Sequence, residues 1–359
     1  MDVDLGALAG NVRRIVALVA PAELCAVVKA DAYGHGDVPV AETALEAGAS
    51  RLAVALVEEG IRLREAGIDA PILVLSEPPV SAVTDLVAWD LTATVYRASF
   101  LSALAEATTG TVEVHVKVDT GMHRVGADPG TALALVREID RDPRLVLGGV
   151  WSHLAVADTD AEFTHRQIEL FDRVCGAVEE AGVEIRRRHL ANTPGAILYP
   201  DARYEMVRVG LGIYGLHPCP ATRDHIELEP VMSIVSQIAY VRRLPAGSRP
   251  SYGRRRPLGG DHFVATVPVG YADGVPRAWS DDGVVLVGAR RRPFAGVVTM
   301  DQVVVDVGED QVEEGDEVVL LGRQGGVEVT ADEWAEATGT INYEIVSRIG
   351  PRLPRRYRR

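Results

Sequence analysis

The sequence predicts an α/β protein: an N-terminal (β/α)8 barrel over residues 1–224, followed by a mostly β domain over residues 225–359. Three observations point there. Eight short apolar runs alternate with amphipathic stretches of helical length in the first part of the chain. No GxGxxG follows the first run, which removes the main support for an open dinucleotide-binding sheet. From about residue 225 the texture changes to Val-rich runs separated by Gly, Pro, Asp and Arg turns.

The eight barrel strands are read in LCAVVKA, RLAVAL, PILVL, LTATVY, VEVHVKV, LVLGGVW, RRHLAN and EMVRVG. The seventh is short and Arg-rich. The first, LCAVVKA, is a continuous apolar run rather than an alternating one, as a strand covered on both faces requires. Between them, VPVAETALEAGA, VEEGIRLREAG, SFLSALAEAT, GTALALVREID and HRQIELFDRVCGAVEEAG have helical periodicity, and several close on Gly. The boundary is expected in HPCPATRDH, residues 217–225. Beyond it, SIVSQIAYVRRL, FVATVPVGY, GVVLV, PFAGVV, QVVVDV and DEVVLL read as strands, and only TADEWAEATG reads as a helix, with Thr330 as its N-cap.

Composition bounds the function classes. The 359 residues suffice for two domains with separate cores. A net charge of −14 argues against a nucleic-acid partner. The basic end, RIGPRLPRRYRR, reads as a solvated or salt-bridged terminus. No apolar run approaches the ~20 residues of a membrane span. The N-terminal stretch lacks the basic and apolar regions of an export signal. Cys25, Cys175 and Cys219 have no metal-ligand spacing; no metal is expected, and the sparse set fits a reducing cytoplasm.

The most informative stretch is AVVKADAYGHG, residues 26–36. Lys29 ends a buried run, and an amine in partly desolvated surroundings has a lowered pKa that suits a nucleophile or base. The bland alternative is a lysine that snorkels out of the sheet. Tyr33 follows four residues on, and Gly34 and Gly36 permit close approach of backbone to a ligand. Barrel enzymes carry their chemistry at the C-terminal ends of the strands. Lys117, Asp119 and Arg124 lie at and beyond the fifth run, His153 at the sixth, Asn192 and Thr193 at the seventh, and Arg208 and Gly210 at the eighth. Each alone reads equally well as a loop residue; together they gather at one rim.

Residues 26–36 closely resemble the cofactor-lysine signature of alanine racemases, a pyridoxal-phosphate family. The resemblance covers nearly the whole chain, from DLGALAGNV through GYADG (270–274), MDQ (300–302) and INYEIVSRIGPRLPR. It implies that Lys29 holds pyridoxal 5'-phosphate and acts as one base, with Tyr271 the second base on the opposite face of the substrate carbon. Tyr33, Thr193 and Tyr343 offer hydroxyl donors, and Gly210 and Leu211 offer backbone N–H groups to the phosphate. His153 and Asn192 match further cofactor-site positions. Arg208 faces the pyridine nitrogen, to which arginine donates without easily giving up its proton. Arg124 and the backbone of Met300 would hold the substrate carboxylate, and Lys117 matches a lysine often carbamylated in the family. The resemblance further implies a homodimer in which Tyr271 and Met300 reach the other subunit's cofactor, and cytoplasmic production of D-alanine for peptidoglycan.

Some positions depart from the family. Thr299 replaces a common Cys, Thr193-Pro194 a common Ser and its neighbour, and His123 a residue that is often glycine. Histidine at that last position is strained if the backbone there needs positive φ. The alternatives are a racemase of another amino acid or a decarboxylase on the same fold, and a non-enzymatic pyridoxal-phosphate carrier. GYADG and Arg208 argue against the decarboxylase, and the β domain with its second base argues against the carrier.

Overall fold

The computed structural model describes residues 1–359. The chain forms two compact units: Ala7–Ala32 with Gly36–Glu229, and Met1–Gly6 with Tyr33–His35 and Pro230–Arg359.

Strand β1 (Asp2–Asp4) belongs to the second unit. The first unit is the barrel, built from β2 (Glu23–Val27), β3 (Arg51–Val54), β4 (Ile72–Val74), β5 (Thr92–Val95), β6 (Val112–Lys117), β7 (Leu145–Trp151), β8 (Arg188–His189) and β9 (Met206–Val209). Neighbours are all parallel, in the order β8-β7-β6-β5-β4-β3-β2-β9. The Arg208 N–H donates to the Ala191 carbonyl at 3.0 Å, so the chain just beyond β8 meets β9 and the ring nearly closes. All eight expected strands are present, the seventh reduced to two residues.

Local chemistry sets the helices. Helix Pro129–Arg141 starts at Asp128, whose carboxylate accepts from the N–H groups of Gly130 and Thr131, with proline at the first turn. Its buried Ala132, Leu135, Val136 and Ile139 follow helical spacing. Asp160 caps Ala161–Glu180 in the same manner, and Gly182 leaves that helix at φ 82°.

The barrel interior is polar, unlike the branched aliphatic filling common in this fold. On β6, Val112, Val114 and Val116 alternate with Glu113, His115 and Lys117. Arg51 on β3 meets Glu113 at 3.0 Å, and His189 on β8 meets His115 at 2.7 Å. Neither pair lies on adjacent strands, so both reach across the inside.

The second unit holds a seven-stranded sheet, ordered β14-β13-β16-β10-β1-β18 with β17 on β16, and a three-stranded sheet, β11-β12-β15. These are β10 (Met232–Gln237), β11 (Tyr240–Leu244), β12 (His262–Val267), β13 (Val284–Val287), β14 (Arg290–Pro293), β15 (Val303–Gly308), β16 (Glu317–Gln324), β17 (Val327–Val329) and β18 (Arg356–Arg358). The basic end is salt-bridged: β18 runs parallel to β1, and Arg356 and Arg358 both clamp Asp2, at 2.8 and 2.5 Å. Two readings change. Residues 293–298 form no strand beyond Pro293; Gly296 there lies against the Pro250 carbonyl, and the ladder belongs to Arg290–Pro293. A second helix, Asn342–Ser347, follows Ala331–Thr338.

Candidate active site at the rim of the barrel

Lys29 lies just beyond the end of β2, after Val28, and opens an unusual turn. Ala30, Asp31, Ala32 and Tyr33 all have φ between 51° and 54°, a left-handed turn without glycine. Such backbone costs on the order of 1–2 kcal/mol per residue. Surrounding bonds hold it: Ala32 N–H to Val28 O at 2.9 Å, Gly36 N–H to Asp31 O at 2.9 Å, and Ala30 N–H to the Glu59 carboxylate at 2.6 Å. Glu59 also accepts from the N–H groups of Ala55 and Leu56, tying this turn to the loop after β3. Burial lowers the Lys29 pKa, Arg124 lowers it further, and Glu59 partly opposes them.

Arg208, on β9, is wholly buried. Its Nη1 donates to His189 Nδ1 and to the His189 carbonyl, both at 2.9 Å. Its Nη2 donates to the carbonyls of Ser152 (2.8 Å) and Leu190 (3.2 Å) and to His153 Nδ1 at 3.3 Å. Nε takes no part in these bonds. Burial brings the guanidinium down to about 10, still cationic at neutral pH. The same burial, with Arg208 adjacent, drives His153 well below the ordinary imidazole value, so its ring is neutral.

Lys117 ends β6 with its ammonium 4.2 Å from the centre of the Trp151 ring. Burial, then Arg208 and Arg124, lower its pKa to about 7. Asn192 caps the turn Thr193–Leu198, its Oδ1 accepting from Gly195 N–H at 3.1 Å and its Nδ2 donating to Leu154 O. Gly210 and Leu211 open a 3-10 turn over Leu211–Tyr214, whose first internal bond is Ile213 N–H to Gly210 O. The N–H groups of Gly210 and Leu211 precede that bond and are the ones such a turn leaves for an anion.

In the second unit, Tyr271 and Met300 are brought together by backbone. Tyr271 N–H donates to Thr299 O and Ala272 N–H to Met300 O, both at 3.0 Å. A Cβ on Gly270 would run into those two carbonyls, which is why glycine opens GYADG. Asp273 accepts from Gly270 N–H at 2.8 Å and pairs with Arg352, which also pairs with Asp301. Motifs spread over about eighty residues therefore form one cluster. Thr299, in place of cysteine, donates to Gln302 O at 2.8 Å and accepts from Gln302 N–H, bonds a thiol makes only weakly. Tyr271 borders a cleft of about 360 Å³ lined by Ala272, Pro276, Arg277 and Arg348. Tyr33 and Tyr343 face each other with ring centres 6.3 Å apart, and burial pushes the Tyr33 hydroxyl up to about 12.

Known proteins share this fold along nearly the whole chain. The alanine racemase N-terminal domain family matches residues 3–218 and the C-terminal domain family residues 231–357. The chain belongs to the alanine racemase family. An alanine racemase of a Nostoc species is 42% identical across 99% of this chain and 94% of its own length. The solved alanine racemase of Streptomyces lavendulae, a D-cycloserine producer, superposes with a TM-score of 0.95 at 39% identity, covering 99% of this chain and 96% of that one. A histidine racemase of Leuconostoc mesenteroides superposes with a TM-score of 0.91 at 28% identity, covering 100% and 97%. The protein is an amino-acid racemase.

The donor set suits pyridoxal phosphate. Pyridoxal phosphate needs an amine for its Schiff base, a partner for its ring nitrogen and a cradle for its phosphate. Lys29, whose burial lowers its pKa, Arg208 Nε and the Gly210–Leu211 turn offer such groups. Sequence reasoning missed Trp151 and His189, whose rings stack at 5.5 Å and 9° beside Arg208. The available signal was the tryptophan that ends LVLGGVW and the histidine in RRHLAN.

Proposed function

We propose that the protein interconverts L-alanine and D-alanine with pyridoxal 5'-phosphate, using Lys29 and Tyr271 as bases on opposite faces of the α-carbon. The observation that carries this reading is a half-buried Lys29 of lowered pKa on the same rim as Arg208, whose Nε–H is left uncommitted. The bound cofactor supplies an electron sink that acidifies the substrate α-C–H bond.

Everything else falls to the chain. Lys29 holds the cofactor and takes or returns the proton on the D face. Arg208 donates to the ring nitrogen without protonating it, which weakens the sink and favours proton return over transamination. His153, neutral and accepting from Arg208 through Nδ1, carries its proton on Nε2, and would link the arginine to the phenol of the second base. Thr193, Asn192, Tyr33, Tyr343 and the N–H groups of Gly210 and Leu211 seat the cofactor, and Arg124 with the Met300 backbone holds the substrate carboxylate. Lys117, with a pKa near 7, has the neutral amine that adds carbon dioxide; its carbamate would be the anion that positions Arg124.

Tyr271 and Met300 are 42% and 53% exposed on the single chain, which supports a head-to-tail homodimer in which each completes the other subunit's site. The D-alanine serves peptidoglycan synthesis in the cytoplasm. The second reading, a racemase of another amino acid, is favoured by the histidine racemase of the same fold. Chiral chromatography of a panel of L-amino acids separates the two, with L-alanine expected as the best substrate. Lys29→Ala should abolish both racemisation and borohydride trapping of the cofactor; trapping at another lysine with activity intact would overturn the assignment.

A further inference from the structure

We propose that Glu113 is a positioning residue for Arg208, acting through His115 and His189 in a hydrogen-bonded chain across the barrel interior. The proposal rests on the reading of Arg208 as the cofactor's partner only for its catalytic consequence; the chain itself stands on geometry.

The direction of every bond follows from Arg208. A guanidinium has donors and no acceptor. His189 Nδ1, 2.9 Å from Arg208 Nη1, must therefore accept, which places the His189 proton on Nε2. That nitrogen lies 2.7 Å from His115 Nδ1, which must accept in turn. The His115 proton is then on Nε2, 3.4 Å from the Glu113 carboxylate. Only an acceptor closes the sequence, and an ionised carboxylate is one. Reversing the chain would set an Nδ1–H of His189 against an N–H of Arg208.

The surroundings enforce this reading. Both imidazoles are buried, and burial lowers their pKa, so they are neutral relays and not cations. The bond from His115, with Arg51 assisting at 3.0 Å, holds the Glu113 carboxyl down at about 2. Consecutive glycines on β7 make the passage. A Cβ on Gly149 would lie 2.9 Å from His115 Nδ1 and 2.6 Å from the Arg187 carbonyl, and one on Gly148 would run into the Glu113 side chain. Trp151 stacks on His189 and lies 4.5 Å from the Arg208 guanidinium, fixing the plane of both.

Backbone carbonyls hold the Nη groups of Arg208; Glu113 adds a fixed lone pair at His189 and a negative end to a polarised chain. Without it His189 is free to adopt the other tautomer, donor meets donor, and the guanidinium turns its Nε–H away from its target.

The test is long-range proton–nitrogen NMR on the full-length protein labelled with ¹⁵N-histidine, with His115 and His189 assigned by single substitution. Both are expected as Nε2–H tautomers in the unsubstituted protein, with or without cofactor. Glu113→Ala should move His189 to a mixed or Nδ1–H population and lower kcat about tenfold with little change in KM. Glu113→Gln keeps a carbonyl acceptor but loses the charge, and should fall between. An Nδ1–H tautomer at either histidine in the unsubstituted protein overturns the proposal, as do unchanged tautomers and kcat in Glu113→Ala. The unsubstituted spectrum needs no variant, cofactor or turnover, so it decides the chain even if a variant fails to fold. Ordered tautomers in a protein without racemase activity would instead count against the functional reading of Arg208.

Discussion

The Lys117 ammonium lies over the face of the Trp151 ring at 4.2 Å, and the same indole lies 4.5 Å from the Arg208 guanidinium. One aromatic surface thus serves two cations that repel each other. The arginine keeps its proton and the lysine yields: burial first, then Arg208 and Arg124, bring Lys117 to about 7.

A pH dependence of stability follows. The unfolded chain keeps the Lys117 proton up to about 10.5, the folded chain only up to about 7. Between those values the unfolded state binds more protons, so stability rises with pH across that window and is penalised most below it. Lys117→Met removes the penalty. Thermal denaturation in carbonate-free buffer should show a larger gain in Tm at about pH 6 than at about pH 10. Equal gains at both would mean that the buried ammonium carries no such penalty.

Arg208→Glu tests the choice of a donor that keeps its proton. A carboxyl at this position favours a protonated pyridine ring and a stronger electron sink. Racemisation should slow while transamination, read as pyruvate released from alanine, increases. Racemisation at the original rate with no added pyruvate would remove Arg208 from this role.

Shared sites predict complementation. Mixing Lys29→Ala with Tyr271→Ala chains and allowing subunit exchange should restore activity, because each heterodimer then holds one site with both bases. Exchange proven by mass with no recovery would place the two bases on one chain.

Much of this was legible in the sequence, for a physical reason. Most barrel strands are short apolar runs set between amphipathic stretches, and that alternation marks all eight, the polar RRHLAN included; the rim residues follow from where the strands end. Other features left no local trace. β1 spans three residues and pairs with strands more than two hundred residues away. The left-handed turn after Lys29 uses Ala-Asp-Ala-Tyr, of which only Asp31 has any leaning toward positive φ. VEVHVKV read as an apolar run because valine dominates it, although its alternate residues build the polar interior. His123 was legible as a question: φ there is 54°, and Asp119 supports it by accepting from its N–H at 3.1 Å and pairing with its ring.

Tyr271→Phe separates a dedicated base from general support of the site. The substitution keeps the ring and removes only the phenolic oxygen, so packing should survive. Overall racemisation must fall in both directions, since the equilibrium constant fixes the ratio of the two. The asymmetry should appear in half-reactions followed in deuterium oxide. Lys29 still takes the α-proton of D-alanine and returns a deuteron to the same face, so exchange from D-alanine persists with retention. Exchange from L-alanine, which needs the opposite face, should be lost. Equal loss of both exchanges would mean that Tyr271 supports the site as a whole and is not the base for the L face.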